Sequence, residues 1–337
     1  MSAESPKDRD AHAARNAGIL RVATQVVAFG VFVLLVAGAL VTSTESGLAV
    51  PDWPLSYGKV MPPMVGGILY EHGHRLIAAA VSTLVGLEMA MLFFLERRKG
   101  VKRLGMAAFA AILVQAVLGG LTVLLLLPPA VSSAHAALAE IVFALTAVVA
   151  LMCSKTWNEL TLVAAAYEQE ENLSSNLPIV NKAFHATLLA TAAIYVQIVL
   201  GAVMRHTGAG LAIPDFPAAF GGLWPSADEL SRRGVGLHLA HRVGAAVVLA
   251  LVLLAVRALA RLSAVSPVFA GFAAGWAGLV AIQILLGALS IWSKKAPPLT
   301  AAHLAGGALC WVTGILAAVS IGACRNRENA VSSPVRT

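Results

Sequence analysis

Eight apolar stretches alternate with polar segments along the chain. They run, with approximate edges, over 22–41, 75–95, 104–127, 133–153, 183–204, 236–256, 267–292 and 299–322. A run of roughly 20 apolar residues is the length that an α-helix needs to cross the hydrocarbon core of a membrane. The pattern therefore predicts an all-α integral membrane protein with eight transmembrane helices.

Composition agrees with a membrane protein, and charge predicts its orientation. Of the residues, 58% are hydrophobic and 12% are charged. If the N-terminus is cytoplasmic, sixteen of the 24 Lys and Arg residues fall on cytoplasmic segments and six on outer loops, with Arg75 and Arg242 at helix mouths. The positive-inside rule then places both termini in the cytoplasm. The net charge of +7 follows from this asymmetry and does not indicate nucleic-acid binding.

The chain repeats its own motifs. Three odd-numbered spans share Gln-x-x-Leu-Gly near one end, as QAVLGGLTV (115–123), QIVLGAVMR (197–205) and QILLGALSI (283–291). At a longer period SGLAVPDWP, EHGHR and SSAHAALAE are matched by AGLAIPDFP, HLAHR and TAAHLAGGA. Each half crosses the membrane an even number of times, so we expect two parallel four-helix bundles related by a pseudo-twofold axis along the membrane normal.

The repeat divides the chain into five predicted segments. They are a cytoplasmic tail (1–21), an N-terminal four-helix half (22–153), a cytoplasmic linker (154–182), a C-terminal four-helix half (183–322) and a second cytoplasmic tail (323–337).

Four histidines occupy matched positions, each near the start of an even-numbered span: His74, His135, His241 and His303. A histidine within a membrane helix is costly unless it faces the bundle interior and has a partner. Four at matched depth predict two pairs, one per half, and a pair of imidazoles from facing helices can hold haem iron. Arg75 and Arg242 each follow a histidine and are candidates for binding haem propionates. Buried histidines that only form hydrogen bonds, or a zinc site lacking its third and fourth ligands, are the alternatives.

Glu71 breaks the symmetry of the two halves. It aligns with His238, and both lie three residues before a predicted ligand, on the same helix face. A carboxylate beside one porphyrin is typical of a site that performs chemistry, as a base or as a stabiliser of developing positive charge. The alternative is a glutamate exposed at the helix mouth or paired with Arg75. His238 is expected to support the second haem, and Glu88 to extend its carboxylate to the cytoplasmic interface.

Together these motifs resemble the haem A synthase family, from about residue 22 to 322. The resemblance implies an oxidoreductase that converts the C8 methyl group of haem O to a formyl group, giving haem A for cytochrome oxidase. It implies substrate-haem ligands at His74 and His135, haem b ligands at His241 and His303, and an essential carboxylate at Glu71. Many members carry a cysteine pair in the first outer loop, where this chain has Val50 and Ser56.

Two other functions remain open from the sequence. One is a membrane electron-transfer protein with two haems b, and the other is a haem transporter or chaperone. The resemblance also implies a bacterial inner membrane location with haem sites near the outer face. It leaves open a handover from haem O synthase (the protohaem farnesyltransferase), a quinone or other electron acceptor, and a homo-oligomer.

Overall fold

The computed structural model describes residues 6–167 and 173–331. Within these ranges the chain folds into ten α-helices joined by loops and two short 3-10 turns. The helices are α1 (Pro6–Ser43), α2 (Gly67–Leu95), α3 (Lys99–Leu124), α4 (Pro129–Met152), α5 (Lys155–Tyr167), α6 (Leu173–His206), α7 (Ala227–Ser231), α8 (Val235–Arg261), α9 (Pro267–Trp292) and α10 (Pro297–Val331). Eight of them, all but α5 and α7, are long and apolar enough to cross a membrane. The prediction of eight transmembrane helices is confirmed.

Several helices extend beyond the apolar stretches that predicted them. Helix α1 begins at Pro6 rather than near residue 22, and α6 begins at Leu173 rather than near residue 183. Hydropathy marks only the part of a helix that meets hydrocarbon, whereas backbone hydrogen bonding continues into polar residues. The predicted linker 154–182 contains α5. Residues 1–5, 168–172 and 332–337 of the predicted tails and linker lie outside the described residues.

Each half forms a ring of four helices. In the N-terminal half α1 packs on α2, α2 on α3, α3 on α4 and α4 on α1. In the C-terminal half α6, α8, α9 and α10 pack in the same cyclic order. Helices α2 and α4 are therefore diagonal partners, as are α8 and α10. The two helices of each diagonal pair therefore lie across the ring from each other.

The two rings share one apolar core. Helices α1 and α4 contact α10, and α4 also contacts α6. Tyr195 of α6 stacks on Trp311 of α10 with ring centroids 4.8 Å apart, and its hydroxyl donates a hydrogen bond to the carbonyl of Ala137 in α4. The halves are thus joined by helix packing across the middle of the molecule.

All four predicted ligand histidines lie at one end of the bundle, which we call the histidine end. It is formed by the last residues of α1, α3, α6 and α9 and the first turns of α2, α4, α8 and α10. The loops 44–66 and 207–234 also lie at this end. The repeat axis and the side of the membrane on which the termini lie stay predictions.

Candidate functional site

Each of the four histidines packs against a glycine on the preceding membrane helix. A Cβ atom added at Gly119 would lie 2.9 Å from Cε1 of His135, which is closer than real Cβ atoms approach. The corresponding distances are 3.1 Å for Gly38 and His74, 3.0 Å for Gly201 and His241, and 3.1 Å for Gly287 and His303. The recurring glycine therefore makes room for the edge of an imidazole ring.

The histidines form two pairs on diagonal helices. His74 on α2 packs against α1 and His135 on α4 against α3, while His241 on α8 packs against α6 and His303 on α10 against α9. Both members of each pair belong to the same ring of four helices. The two members of each predicted pair thus lie on diagonal helices of one ring, and their pairing stays a prediction.

Three glutamines, for which the sequence predicted no role, position the histidine helices. The side-chain amide of Gln115 donates to the carbonyl of His135 at 2.9 Å. Gln197 and Gln283 make the same bond to His241 and His303, at 2.7 Å each. Each glutamine lies four residues before the glycine that contacts the imidazole, so both share one helix face. The recurring Gln-x-x-x-Gly spacing was the signal for this function.

The imidazoles are suited to a ligand held by two nitrogens. The Nδ1 atoms of His74, His135 and His303 are buried and have no hydrogen-bond partner among the described residues. In that part of the chain, no group of three or more His, Cys, Asp or Glu residues could hold a metal ion. A zinc site takes three or four protein ligands. Two imidazoles from one ring of helices, each beside a glycine, instead fit the donor set that would hold a haem iron.

Glu71 is buried, with 3% of its surface exposed. Its Oε2 accepts a hydrogen bond from the backbone N–H of Val50 at 2.7 Å. Its Oε1 accepts one from Arg75, at 2.6 Å. The pairing with Arg75 that the sequence left open is present, whereas exposure at the helix mouth is not. Glu71 therefore attaches the loop 44–66 to α2, one turn before His74.

His238 makes the matching contact in the other half. It is 2% exposed, and its Nδ1 accepts a hydrogen bond from the backbone N–H of Ile213 at 3.1 Å. Ile213 and Val50 both precede a Pro-Asp pair. Glu71 and His238 thus hold equivalent loops through the same kind of bond, and they differ in chemistry: a carboxylate in one half and an imidazole in the other.

Arg75 and Arg242 organise the loops. Arg75 donates to the carbonyls of Val50, Asp52 and Leu55 at 2.6–3.1 Å. Arg242 donates to the corresponding loop, and its guanidinium lies 5.6 Å from the centroid of a phenylalanine ring. Its acceptors are the carbonyls of Ile213, Asp215 and Ala218. The propionate role of both arginines stays a prediction, and these carbonyls compete with it for the same N–H groups.

Each loop also contains a tight turn held by an aspartate. Asp52 accepts hydrogen bonds from the backbone N–H groups of Tyr57 and Gly58, which both have positive φ. Two consecutive residues of positive φ define a type I′ turn, which favours glycine at the second position. Asp215 makes the same bonds in the second loop. These amide donors hold the pKa of both aspartates below the ordinary value of 3.8.

The aromatic residues of the two loops rest on the odd-numbered spans. A Cβ at Gly120 of α3 would lie 2.6 Å from the Trp53 ring, so the glycine admits the indole. In the second loop the Phe216 carbonyl accepts a hydrogen bond from Nε1 of Trp292 on α9, at 3.0 Å. Both loops therefore cover the histidine end.

Other polar residues lie apart from the histidine pairs. The Nδ1 of His72 is bonded to the Ser56 hydroxyl at 2.7 Å, so this histidine holds the covering loop. The prediction that Glu88 reaches the interface is wrong. Its side chain is 2% exposed because it points into the packed helices, and its Oε1 has no partner among the described residues.

The sequence is similar to a known protein family and to several of its members. The model of the COX15-CtaA family, described as cytochrome oxidase assembly protein, matches residues 69–149 and 145–315. A relative named heme A synthase from Shouchella clausii is 31% identical over 68% of this chain and 72% of its own. Another, from Symbiobacterium thermophilum, is 32% identical over 75% and 79% of the two chains. A third, from Bacillus cereus strain AH187, is 26% identical over 82% and 85%.

Proposed function

Because the chain belongs to the family of cytochrome oxidase assembly proteins, we propose that it oxidises the C8 methyl group of haem O to a formyl group. The relatives described above are named heme A synthase. The observation that carries the proposal is the pair of bis-histidine sites, of which only the first has a buried carboxylate at the matched position beside it. The product, haem A, would serve cytochrome oxidase.

The first pair, His74 and His135, holds the substrate in this proposal. Ligands from the diagonal helices α2 and α4 would approach the iron from opposite faces of the porphyrin. Gly38 and Gly119 set the position of each imidazole, and Gln115 fixes the backbone at His135. The porphyrin would thus be oriented from both sides, which limits the ring substituents that can lie beside Glu71.

The second pair, His241 and His303, holds haem b. When bound there, haem b supplies one-electron transfer. Gln197 and Gln283 hold the helix backbone at these two ligands, and His238 anchors the covering loop. We assign Arg242 to the same site as a candidate propionate contact, and Arg75 to the first.

Glu71 is the residue that we assign to catalysis. Conversion of a methyl to a formyl group with an oxygen from water releases four protons and four electrons, so positive charge develops at the ring substituent. Both Glu71 oxygens already accept a hydrogen bond, which fixes the carboxylate in place. A fixed negative charge stabilises a developing cation without reorganising. The geometry therefore favours electrostatic stabilisation over proton abstraction.

The same proposal implies a membrane location, an electron acceptor and a source of the substrate. The protein is a multi-pass membrane protein, and we place it in the bacterial inner membrane with its histidine end at the outer face. The four electrons released need an acceptor, and a membrane quinone or a similar carrier is the one that we propose. Haem O synthase is the proposed source of the substrate.

Extraction of the haems from purified protein tests the proposal. Protein from cells that make haem O is expected to yield haem b together with haem O or haem A, identified by mass. The Glu71→Ala variant is expected to retain both haems and to form no haem A. Haem b alone in both sites would instead indicate an electron carrier, and labile haem with no need for Glu71 would indicate a transporter.

A further inference from the structure

Arg205 is a cation at the histidine end that links the two halves. It is the second-last residue of α6, and its side chain is partly buried. Its Nη2 donates to the Ala39 carbonyl at 2.8 Å and to the Ser43 hydroxyl at 2.7 Å, both on α1. The guanidinium therefore crosses from the C-terminal half to the N-terminal half.

The positive charge of Arg205 has no protein counter-ion among the described residues. The ion pairs in that part of the chain are formed by Arg75, Arg98 and Arg232. A guanidinium carries five N–H groups, and α1 accepts from Nη2 alone. The N–H groups of Nη1 and Nε are left for another acceptor. An unpaired charge inside a membrane protein is costly and indicates a functional partner.

The end of α6 lies between the two histidine pairs. Arg205 lies four residues after Gly201, which packs against His241, so the two residues share one face of α6. On the other side, the Ala39 carbonyl that accepts from Arg205 directly follows Gly38, against which His74 packs. Arg205 is therefore placed where an acidic group of a ligand at either pair could reach it.

We propose that Arg205 binds a carboxylate of the porphyrin held by His241 and His303. This inference rests on the proposed function, since it requires haem at the second pair. Arg205 is assigned to that pair because it follows Gly201, which packs against His241, by one turn of the same helix. A carboxylate can accept a charge-assisted N–H bond from Nη1 or from Nε, since α1 occupies only Nη2. Arg242 donates both of its terminal nitrogens to loop carbonyls, which leaves its buried Nε without a partner among the described residues.

A bound cation would change the redox behaviour of that haem. Positive charge nearby disfavours the oxidised, more positive iron and neutralises the carboxylate, and both effects raise the midpoint potential. Arg205→Gln removes the charge but keeps an amide that can donate to Ala39 and Ser43. Arg205→Lys keeps the charge. Ser43→Ala removes one acceptor on α1 and keeps Arg205, so it controls for the contact between halves.

The experiment is a redox titration of haem absorbance in the purified proteins, with a His135→Ala variant identifying the component of the second pair. Arg205→Gln is expected to lower the midpoint potential of that component. Arg205→Lys is expected to have a midpoint potential close to that of the unaltered protein. Ser43→Ala is expected to leave the midpoint potential unchanged.

Three outcomes would overturn the assignment of Arg205: an unchanged midpoint in Arg205→Gln with haem bound, a shift confined to the first pair, or the same shift in Ser43→Ala. If Arg205→Gln does not accumulate, Arg205→Met takes its place under the same criteria. Unaltered protein without haem at the second pair would contradict the proposed function itself, before any variant is compared.

Discussion

Glu71 and His238 occupy matched positions and perform the same structural task with different chemistry. Each accepts a backbone N–H from a covering loop, from Val50 in one half and from Ile213 in the other. The loop contact alone therefore does not require a carboxylate at residue 71. What the carboxylate adds is negative charge beside the first histidine pair, and a substitution can separate the two roles.

Glu71→His is expected to keep the loop in place and to abolish haem A formation. An imidazole can accept from the Val50 N–H, as His238 does from Ile213, but it cannot supply the fixed negative charge. The measurements are the mass of the extracted haems and the rate of proteolysis within residues 44–66. Glu71→Ala is the control, because it removes both the acceptor and the charge. Haem A formed by Glu71→His would show that charge at this position is not needed.

Gly119→Ala is expected to weaken haem binding at the first pair. The added Cβ would lie 2.9 Å from Cε1 of His135 and would move the imidazole, at a cost of about 1–3 kcal/mol. Haem retention during purification measures the effect. Gly278→Ala on α9 is the matched control, because a Cβ there meets nothing within 4 Å. Equal haem content in the two variants would mean that the glycine is not needed for the position of the histidine.

The sequence was sufficient to single out the histidines and Glu71 as candidates, because their repeat-matched positions stand out in apolar surroundings. It was not sufficient for Arg75, whose partners are loop carbonyls. Backbone carbonyls carry no sequence signal, since their direction depends on how the loop folds. Gln115 was visible as a repeated residue, but its bond to the His135 carbonyl requires knowledge of how α3 packs on α4.

At the scale of elements, the two covering loops depend on aspartates that must be ionised. The pKa of Asp52 lies below its ordinary value of 3.8 because the amides of Tyr57 and Gly58 donate to its carboxylate. A group whose pKa is lowered by folding stabilises the fold above its ordinary pKa, and this contribution is lost as the pH falls through the folded value.

The first loop is therefore expected to keep its turn at neutral and mildly acidic pH and to open only in stronger acid. Hydrogen exchange of a peptide spanning residues 50–60, corrected for intrinsic rates, measures the opening. Asp52→Asn is expected to exchange faster at neutral pH and to show no further acid transition. Protection that persists in acid in the unaltered protein would contradict a role for the ionised carboxylate.

The helices show which part of an element hydropathy can predict. All eight apolar stretches are helices that can span a membrane, because a run of that length and composition has few other stable states in lipid. The first turns of α1 and α6 were missed, since polar residues carry no apolar signal. The turns at Gly58 and Gly221 were visible only as Pro-Asp motifs, whose backbone geometry depends on contacts with Arg75 and Arg242.

At the scale of the whole molecule, one end of the bundle holds both histidine pairs, both covering loops and Arg205. The α1, α4, α6 and α10 helices join the halves, so the two sites are neighbours rather than independent. Such an arrangement would suit the electron transfer that the proposed function requires between the two pairs. It also requires that the histidine end faces a single side of the membrane.

The orientation is testable with single cysteines. The native residues Cys153, Cys310 and Cys324 would first be replaced by serine. Leu223 lies in the loop 207–234 and is 98% exposed, so Leu223→Cys is expected to react with a membrane-impermeant maleimide added to intact spheroplasts. Lys99→Cys, in an exposed position at the opposite end of the bundle, is expected to react only after the membrane is opened.

The physical reason for this expectation is the charge at that opposite end. Arg97, Arg98, Lys99, Lys102 and Arg103 cluster around the junction of α2 and α3, and basic residues beside membrane helices are retained in the cytoplasm. Labelling of Lys99→Cys in sealed spheroplasts, with Leu223→Cys protected, would reverse the orientation. It would place both haem sites and the release of protons from the methyl group at the cytoplasmic face. Labelling of Leu223→Cys alone would place them at the outer face, where the proposed function requires them.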